Sequence, residues 1–134
     1  MKDKWENEGT KTFLGIHSNG FPNLFIMTGP QGGGGSFNFT DAIETHADYI
    51  VWMLSQMRDE GHQVVDINEE AEITYAEHCR QADVATAPLR DCLSYYNGHG
   101  DAEPGSLAYY GGGNWHKFRV RAQETLEPYI FDSV

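Results

Sequence analysis

At 134 residues the chain suffices for one small domain, and its 40% apolar and 13% aromatic content suits a packed core and not a disordered chain. Nine Lys and Arg against 20 Asp and Glu leave a formal charge of −11, which repels phosphate backbones and anionic lipid and argues against nucleic-acid and membrane partners. Apolar runs fall far short of the ~20 residues that span a bilayer, and the start Met1-Lys2-Asp3-Lys4-Trp5-Glu6 has no signal-peptide core, so a cytoplasmic protein with reduced Cys79 and Cys92 is expected.

Residues 1–12 are charged and polar apart from Trp5, and are expected to form an exposed lead-in on which only Trp5 docks. Asn23 to Met27 is almost wholly apolar without alternation, the pattern of a strand covered on both faces, which expects neighbours in a parallel sheet. Gly29-Pro30, Gln31 and the four glycines Gly32 to Gly35 follow, then Ser36-Phe37-Asn38-Phe39 and a helix beginning at Thr40 or Asp41. Asp41-Ala42-Ile43-Glu44 has capping-box form. Ile43, Ala47, Ile50, Val51, Leu54 and Met57 recur at steps of three and four, and Gly61 supplies the stop.

Gln63 to Ile67 reads as a short extended piece, and Asn68 precedes a second helix over 69–85 with a weak stripe of Ile73, Ala76 and Val84, ended by Pro88. From Ser94 to Asn114 six glycines, one proline and four tyrosines indicate loop. Lys117 to Glu124 suits a final short helix and 128–134 a tail. The expected class is α/β, one buried strand plus helices.

The glycine turn before the first long helix admits three readings. It could be a plain connector; a phosphate cradle, for which the Lys-Ser or Lys-Thr pair and the GxGxxG spacing are both missing; or a backbone surface beside a flat cofactor ring, which uses glycine for close approach and a helix N-terminus to favour negative charge. The six histidines show no HExxH and no i, i+4 pair, and there is no Cys-x-x-Cys, so no zinc site is expected. His46 reads as a packed or capping residue. With no Gly-x-Ser-x-Gly elbow either, no catalytic residue can be named and none is expected to act unaided.

Five short words in order carry a family resemblance: Phe13-Leu14-Gly15; Gly20-Phe21-Pro22-Asn23-Leu24-Phe25; Thr28-Gly29-Pro30; Ser94-Tyr95-Tyr96 with Gly98; and Tyr109-Tyr110-Gly111-Gly112. Together with Ile43-Glu44 and His46 they resemble the C-terminal segment of the Baeyer–Villiger monooxygenases, the class B flavin monooxygenases, over nearly the whole chain. The resemblance implies FAD and NADP as cofactors and oxygen insertion into a ketone to give an ester or lactone, the flavin doing the hard step. It implies that 13–62 is the last strand, glycine turn and helix of a Rossmann-like FAD-binding domain, and that 63–134 is a helical, loop-rich extension.

On the same resemblance Gly29, Pro30, Asn38, Phe39 and Thr40 border the flavin, Tyr95 stands where the family has a tryptophan at the nicotinamide cofactor, and Gly34, Gly35, Ser36 and Phe37 line the substrate pocket. The glycines there imply a wide pocket for a large or aryl ketone. The loop Tyr95 to Pro104 corresponds to the segment that folds over NADP, with Ser106 where the family has lysine. The two dinucleotide motifs, the fingerprint between them and the arginine of complete enzymes are missing from this sequence. A fragment is therefore expected, inactive alone, whose partners are the N-terminal FAD and NADPH domains. An N- or S-oxygenating flavin monooxygenase segment, or a non-catalytic binding module of the same fold, are the alternatives.

Overall fold

The computed structural model describes residues 1–32, 38–82 and 114–132. Their elements are α1 (Lys2–Glu8), α2 (Phe39–Glu60), β1 (Val64–Ile67), α3 (Glu69–Ala82), α4 (Asn114–Thr125) and β2 (Tyr129–Asp132). The class is α/β. β1 and β2 form a two-stranded antiparallel sheet with Val65 opposite Phe131 and Ile67 opposite Tyr129. The residues expected as a C-terminal tail thus include a strand, because Tyr129 is buried and Phe131 packs on the core while Ile130 between them faces outward.

The other edge of β1 is covered by side chains. Asn23 donates its backbone N–H to the carbonyl of Val65 at 2.9 Å, accepts from the Val65 N–H through Oδ1 at 3.0 Å, and gives its Nδ2 to the carbonyl of Gln63. Asn19 Nδ2 reaches the carbonyl of Ile67 at 2.8 Å. Two asparagine amides therefore stand in for a third strand and satisfy backbone groups that an open edge would leave exposed.

The buried strand expected over Asn23 to Met27 is not formed among the described residues. Asn23 and Thr28 at its ends have φ of +59° and +50°, the N–H of Asn23 goes to Val65 and that of Ile26 to Ile16, and no ladder runs along the segment. Leu24, Phe25 and Ile26 are half-buried and Met27 is exposed. An apolar run becomes a two-faced strand only beside other strands, and the strands among the described residues lie elsewhere.

The 22-residue α2 is capped at Asn38, whose Oδ1 accepts from the Thr40 N–H at 3.0 Å, and not through the Asp41 to Glu44 box; Asp41 instead adds a favourable negative charge to the first turn. It stops at Gly61, at φ +78°, with the His62 N–H on the carbonyl of Met57 and the Gly61 N–H on that of Arg58, a Schellman closure. Its core face is His46, Tyr49, Met53 and Met57, rotated from the apolar stripe in the sequence, and Val51 and Leu54 are exposed. Hydrogen bonds explain the rotation, since His46 and Tyr49 bury polar atoms that find partners inside.

α3 starts at Asn68, which accepts from the Ala71 N–H at 2.7 Å, and buries Glu72, Tyr75, Ala76 and Cys79; Ile73 faces outward, and Val84 lies outside the described residues. α4 begins at Asn114, earlier than its charge pattern suggested, and inserts Trp115 and Ala122. These faces meet Phe13, Leu14 and Ile16 in one core.

The lead-in is also more than exposed chain. Residues 2–8 are helical, Trp5 Nε1 donates to the carbonyl of Lys11, and Lys4 reaches inward to the buried Glu72 at 2.7 Å. Glu72 Oε1 accepts further from Ser18 Oγ and from the Asn19 N–H, both at 3.0 Å. This cluster ties α1, the 18–19 turn and α3 together. Glu72→Ala is expected to destabilise the chain by about 3 kcal/mol, since it leaves the Lys4 ammonium facing only neutral oxygens, the Asn19 carbonyl and Ser18 hydroxyl, and takes the carboxylate away from Ser18 and the Asn19 N–H. Lys4→Met with Glu72→Leu should recover only part of the loss, because those two donors still lose their acceptor; paired thermal melts decide it.

Candidate functional site

The glycine turn is built against the 12–17 loop by close backbone contact. Gly15 sits at φ +71°, and a methyl group on it would overlap the Cα and N of Gly32. A Cβ on Gly29 would stand 2.6 Å from the carbonyl oxygen of Gly15, and one on Gly32 would stand 2.9 Å from the Cα of Gly15. Glycine is needed at this crossing because two backbones touch there. The Gly29 N–H donates to Gly15 at 3.0 Å, and the Gly32 N–H donates to Gly29 at 2.9 Å.

Polar side chains lock the crossing. Thr12 Oγ1 donates to the carbonyl of Pro30 at 2.6 Å, Gln31 Oε1 accepts from the Thr12 N–H and Gln31 Nε2 donates to the carbonyl of Thr10, both at 2.9 Å. Gln31 is buried at φ +62°, and its carbonyl takes the Tyr75 hydroxyl at 2.8 Å.

His46 on α2 closes the far side. Its Nδ1 accepts from the Thr28 N–H at 3.1 Å, and its ring stacks on Trp115 at 5.3 Å between centroids and 16° between planes. Trp115 Nε1 in turn donates to the carbonyl of Leu14 at 2.8 Å. Burial lowers the His46 pKa to about 4, a backbone hydrogen bond at Gly32 acting the other way, so the imidazole is neutral and can accept from Thr28.

The residues singled out from the sequence distribute as follows. Gly29 and Pro30 are in the locked turn, and Asn38, Phe39 and Thr40 form the exposed start of α2, with Phe39 66% exposed. Gly34, Gly35, Ser36, Phe37 and Tyr95 lie outside the described residues, as do Cys92 and the 95–104 loop. Thr12, Gly15, Gln31 and Trp115 hold the turn, and of these only Gly15 falls within one of the family words. Their spacing along the chain carries no signal, because the contacts that join them run between segments far apart in sequence. Among the described residues no group of three or more His, Cys, Asp or Glu side chains is placed to hold a metal, and no helix is long and apolar enough to cross a membrane.

No family model matches the chain. A Baeyer–Villiger monooxygenase of Streptomyces coelicolor is 33% identical over 130 residues, 92% of this chain and 21% of that protein. A steroid monooxygenase solved in its oxidized state with NADP superposes with a TM-score of 0.82 at 24% identity, over 99% of this chain and 25% of its own. OTEMO, solved in complex with FAD and NADP, gives 0.71 at 21% identity, over 97% and 24%. At those identities the structural likeness is one of fold. The chain spans about a fifth of the length of the curated relatives it matches. The chain is therefore a homologue of one segment of the Baeyer–Villiger monooxygenases, in sequence and in the fold of that segment.

Proposed function

We propose that this chain is the C-terminal portion of an FAD- and NADPH-dependent monooxygenase that inserts an oxygen atom into a ketone to give an ester or lactone, and that it is inactive by itself. Residues 13–62 contribute to a Rossmann-like FAD-binding domain and 63–134 form an extension that reaches the nicotinamide cofactor. The observation that carries this reading is the glycine-packed turn at Gly29–Gly32 followed closely by the open first turn of α2.

The residues present fit a flavin. Asn38, Phe39 and Thr40 are exposed at the positive end of a 22-residue helix, where a partial negative charge on a ring edge is favoured. Behind them the turn is fastened to Thr12, Gln31 and His46, so its backbone is held in place before a ligand arrives. When bound, the flavin would supply the oxygen-transfer chemistry; this chain would orient it and help exclude water. The exposed Val51 and Leu54 on α2 and the half-buried Phe25 segment support a surface covered by the N-terminal FAD and NADPH domains.

Two experiments test the reading. The 134-residue chain alone should show no flavin band after addition of FAD. Joined to the N-terminal portion of a related monooxygenase whose own matching segment is removed, it should restore flavin absorbance and ketone-dependent NADPH oxidation. A chimera without flavin, or stoichiometric FAD on the isolated chain, would reject the proposal. In the working chimera, Gly34→Ala with Gly35→Leu should narrow the accepted ketones toward small ones, measured as a fall in kcat/KM for an aryl ketone of roughly tenfold or more.

A further inference from the structure

Outside the glycine turn, the core holds a second polar group. His17 Nε2 lies 3.0 Å from the Tyr49 hydroxyl, which is hydrogen-bonded to the Tyr129 hydroxyl. All three side chains are buried, His17 at 3% exposure and Tyr49 at 0%. They come from the 12–17 loop, α2 and β2, and are wrapped by Phe13, Phe25 and Trp52. A buried phenol that meets an imidazole base is chemically different from one that meets a carbonyl. Tyr75, also buried, donates a hydrogen bond to the Gln31 carbonyl, which is too weak a base to take the proton.

We propose that Tyr49 is a redox-active tyrosine, with His17 as the internal acceptor of its phenolic proton. The proposed step starts from the arrangement in which Tyr129 donates to Tyr49 and Tyr49 donates to Nε2 of His17, with the imidazole proton on Nδ1; the two contacts admit this arrangement. A one-electron oxidant of the trivalent metal–polypyridine class removes one electron from the Tyr49 ring and is itself reduced to the divalent complex. The O–H bond breaks, its proton forms an N–H bond at Nε2, and the products are a neutral tyrosyl radical, an imidazolium and the reduced oxidant. Re-reduction returns the proton along the same hydrogen bond. The radical oxygen keeps two donors, Tyr129 and the imidazolium.

The surroundings match this role. Burial holds His17 neutral at pH 7, with its pKa lowered to about 4, and raises those of both phenols, so base and proton start in the required places. An electron can leave through neighbouring oxidisable rings: Trp52 lies 5.7 Å from Tyr49 and 6.3 Å from Tyr129 between centroids. Tyr129 and Phe131 line an open cleft of about 430 Å³ together with Gln56, Glu60 and His62. The assignment does not depend on flavin binding.

Flash-generated trivalent ruthenium polypyridine, applied to the 134-residue chain and followed by freeze-quench electron paramagnetic resonance, tests it. A tyrosyl signal is expected that is lost in Tyr49→Phe and kept in Tyr129→Phe. His17→Gln should slow its formation by roughly a hundredfold, the scale of positioned proton transfer. In the unaltered chain the rate near neutral pH should be slower in deuterium oxide and independent of buffer-base concentration. A signal that survives Tyr49→Phe unchanged, or a rate that rises in proportion to buffer base, would overturn the proposal.

Discussion

Replacing Gly15 with valine is expected to abolish the native state of this chain. The new side chain would have to occupy the space of the Gly32 backbone, and a β-branched residue would have to hold φ at +71°. Neither neighbour can yield. Gly32 lies against Gly29 and His46, and Gln31 beside it is fixed by Thr12, Thr10 and Tyr75. The expected loss exceeds about 4 kcal/mol, the range reserved for overpacking combined with backbone strain. Gly61→Ala is the matched control: its φ is +78° but nothing lies within 4 Å of the added methyl, so only the conformational cost of about 1 kcal/mol applies. Urea titrations of the two variants separate contact from conformation, and equal losses would show that the crossing is unimportant.

The second large effect is acid sensitivity between pH 6.5 and 4. His17 and His46 are buried and neutral, and burial lowers both pKa values from 6.5 to about 4. In that window the unfolded chain binds protons at these positions and the native chain does not. Stability therefore rises with pH from about 4 to 6.5 and is flat with respect to these groups above it. A shift of this size corresponds to roughly 3 kcal/mol for each histidine by the lower end of the window. Denaturant midpoints measured across this range should fall steeply toward acid. His46→Gln should flatten the curve by about half, because the amide can still accept from Thr28 without titrating, and a curve that does not change would remove His46 from this account.

Local signals in the sequence foretold some elements closely. The periodicity of Ile43 to Met57 and the stop at Gly61 mark α2, Asn68 marks the start of α3, and the apolar Val64-Val65-Asp66-Ile67 marks β1. In each the physical cause lies within a few residues: a cap, a left-handed glycine, a stripe of side chains. The ordered family words likewise placed the chain among its relatives, because several weak words in one order constrain much more than any one of them.

Other features had no local cause. β2 forms because β1 offers it an edge, Asn23 and Asn19 act as strand substitutes because the opposite edge needs partners, and α1 is anchored because Glu72 lies buried beneath Lys4. The buried face of α2 departs from the apolar stripe for the same reason: His46, expected as a packed or capping residue, and Tyr49 lie outside that stripe, and their partners Thr28, His17 and Tyr129 in space make their burial favourable. What the sequence by itself determined is the presence of α2 with its stop at Gly61, the start of α3, the β1 segment and the family to which the words point. Tertiary structure alone decided which polar atoms meet, and hence that Gly15 crosses Gly32 and that a histidine faces two tyrosines, because hydrogen bonds and contacts between distant segments leave no period in the chain.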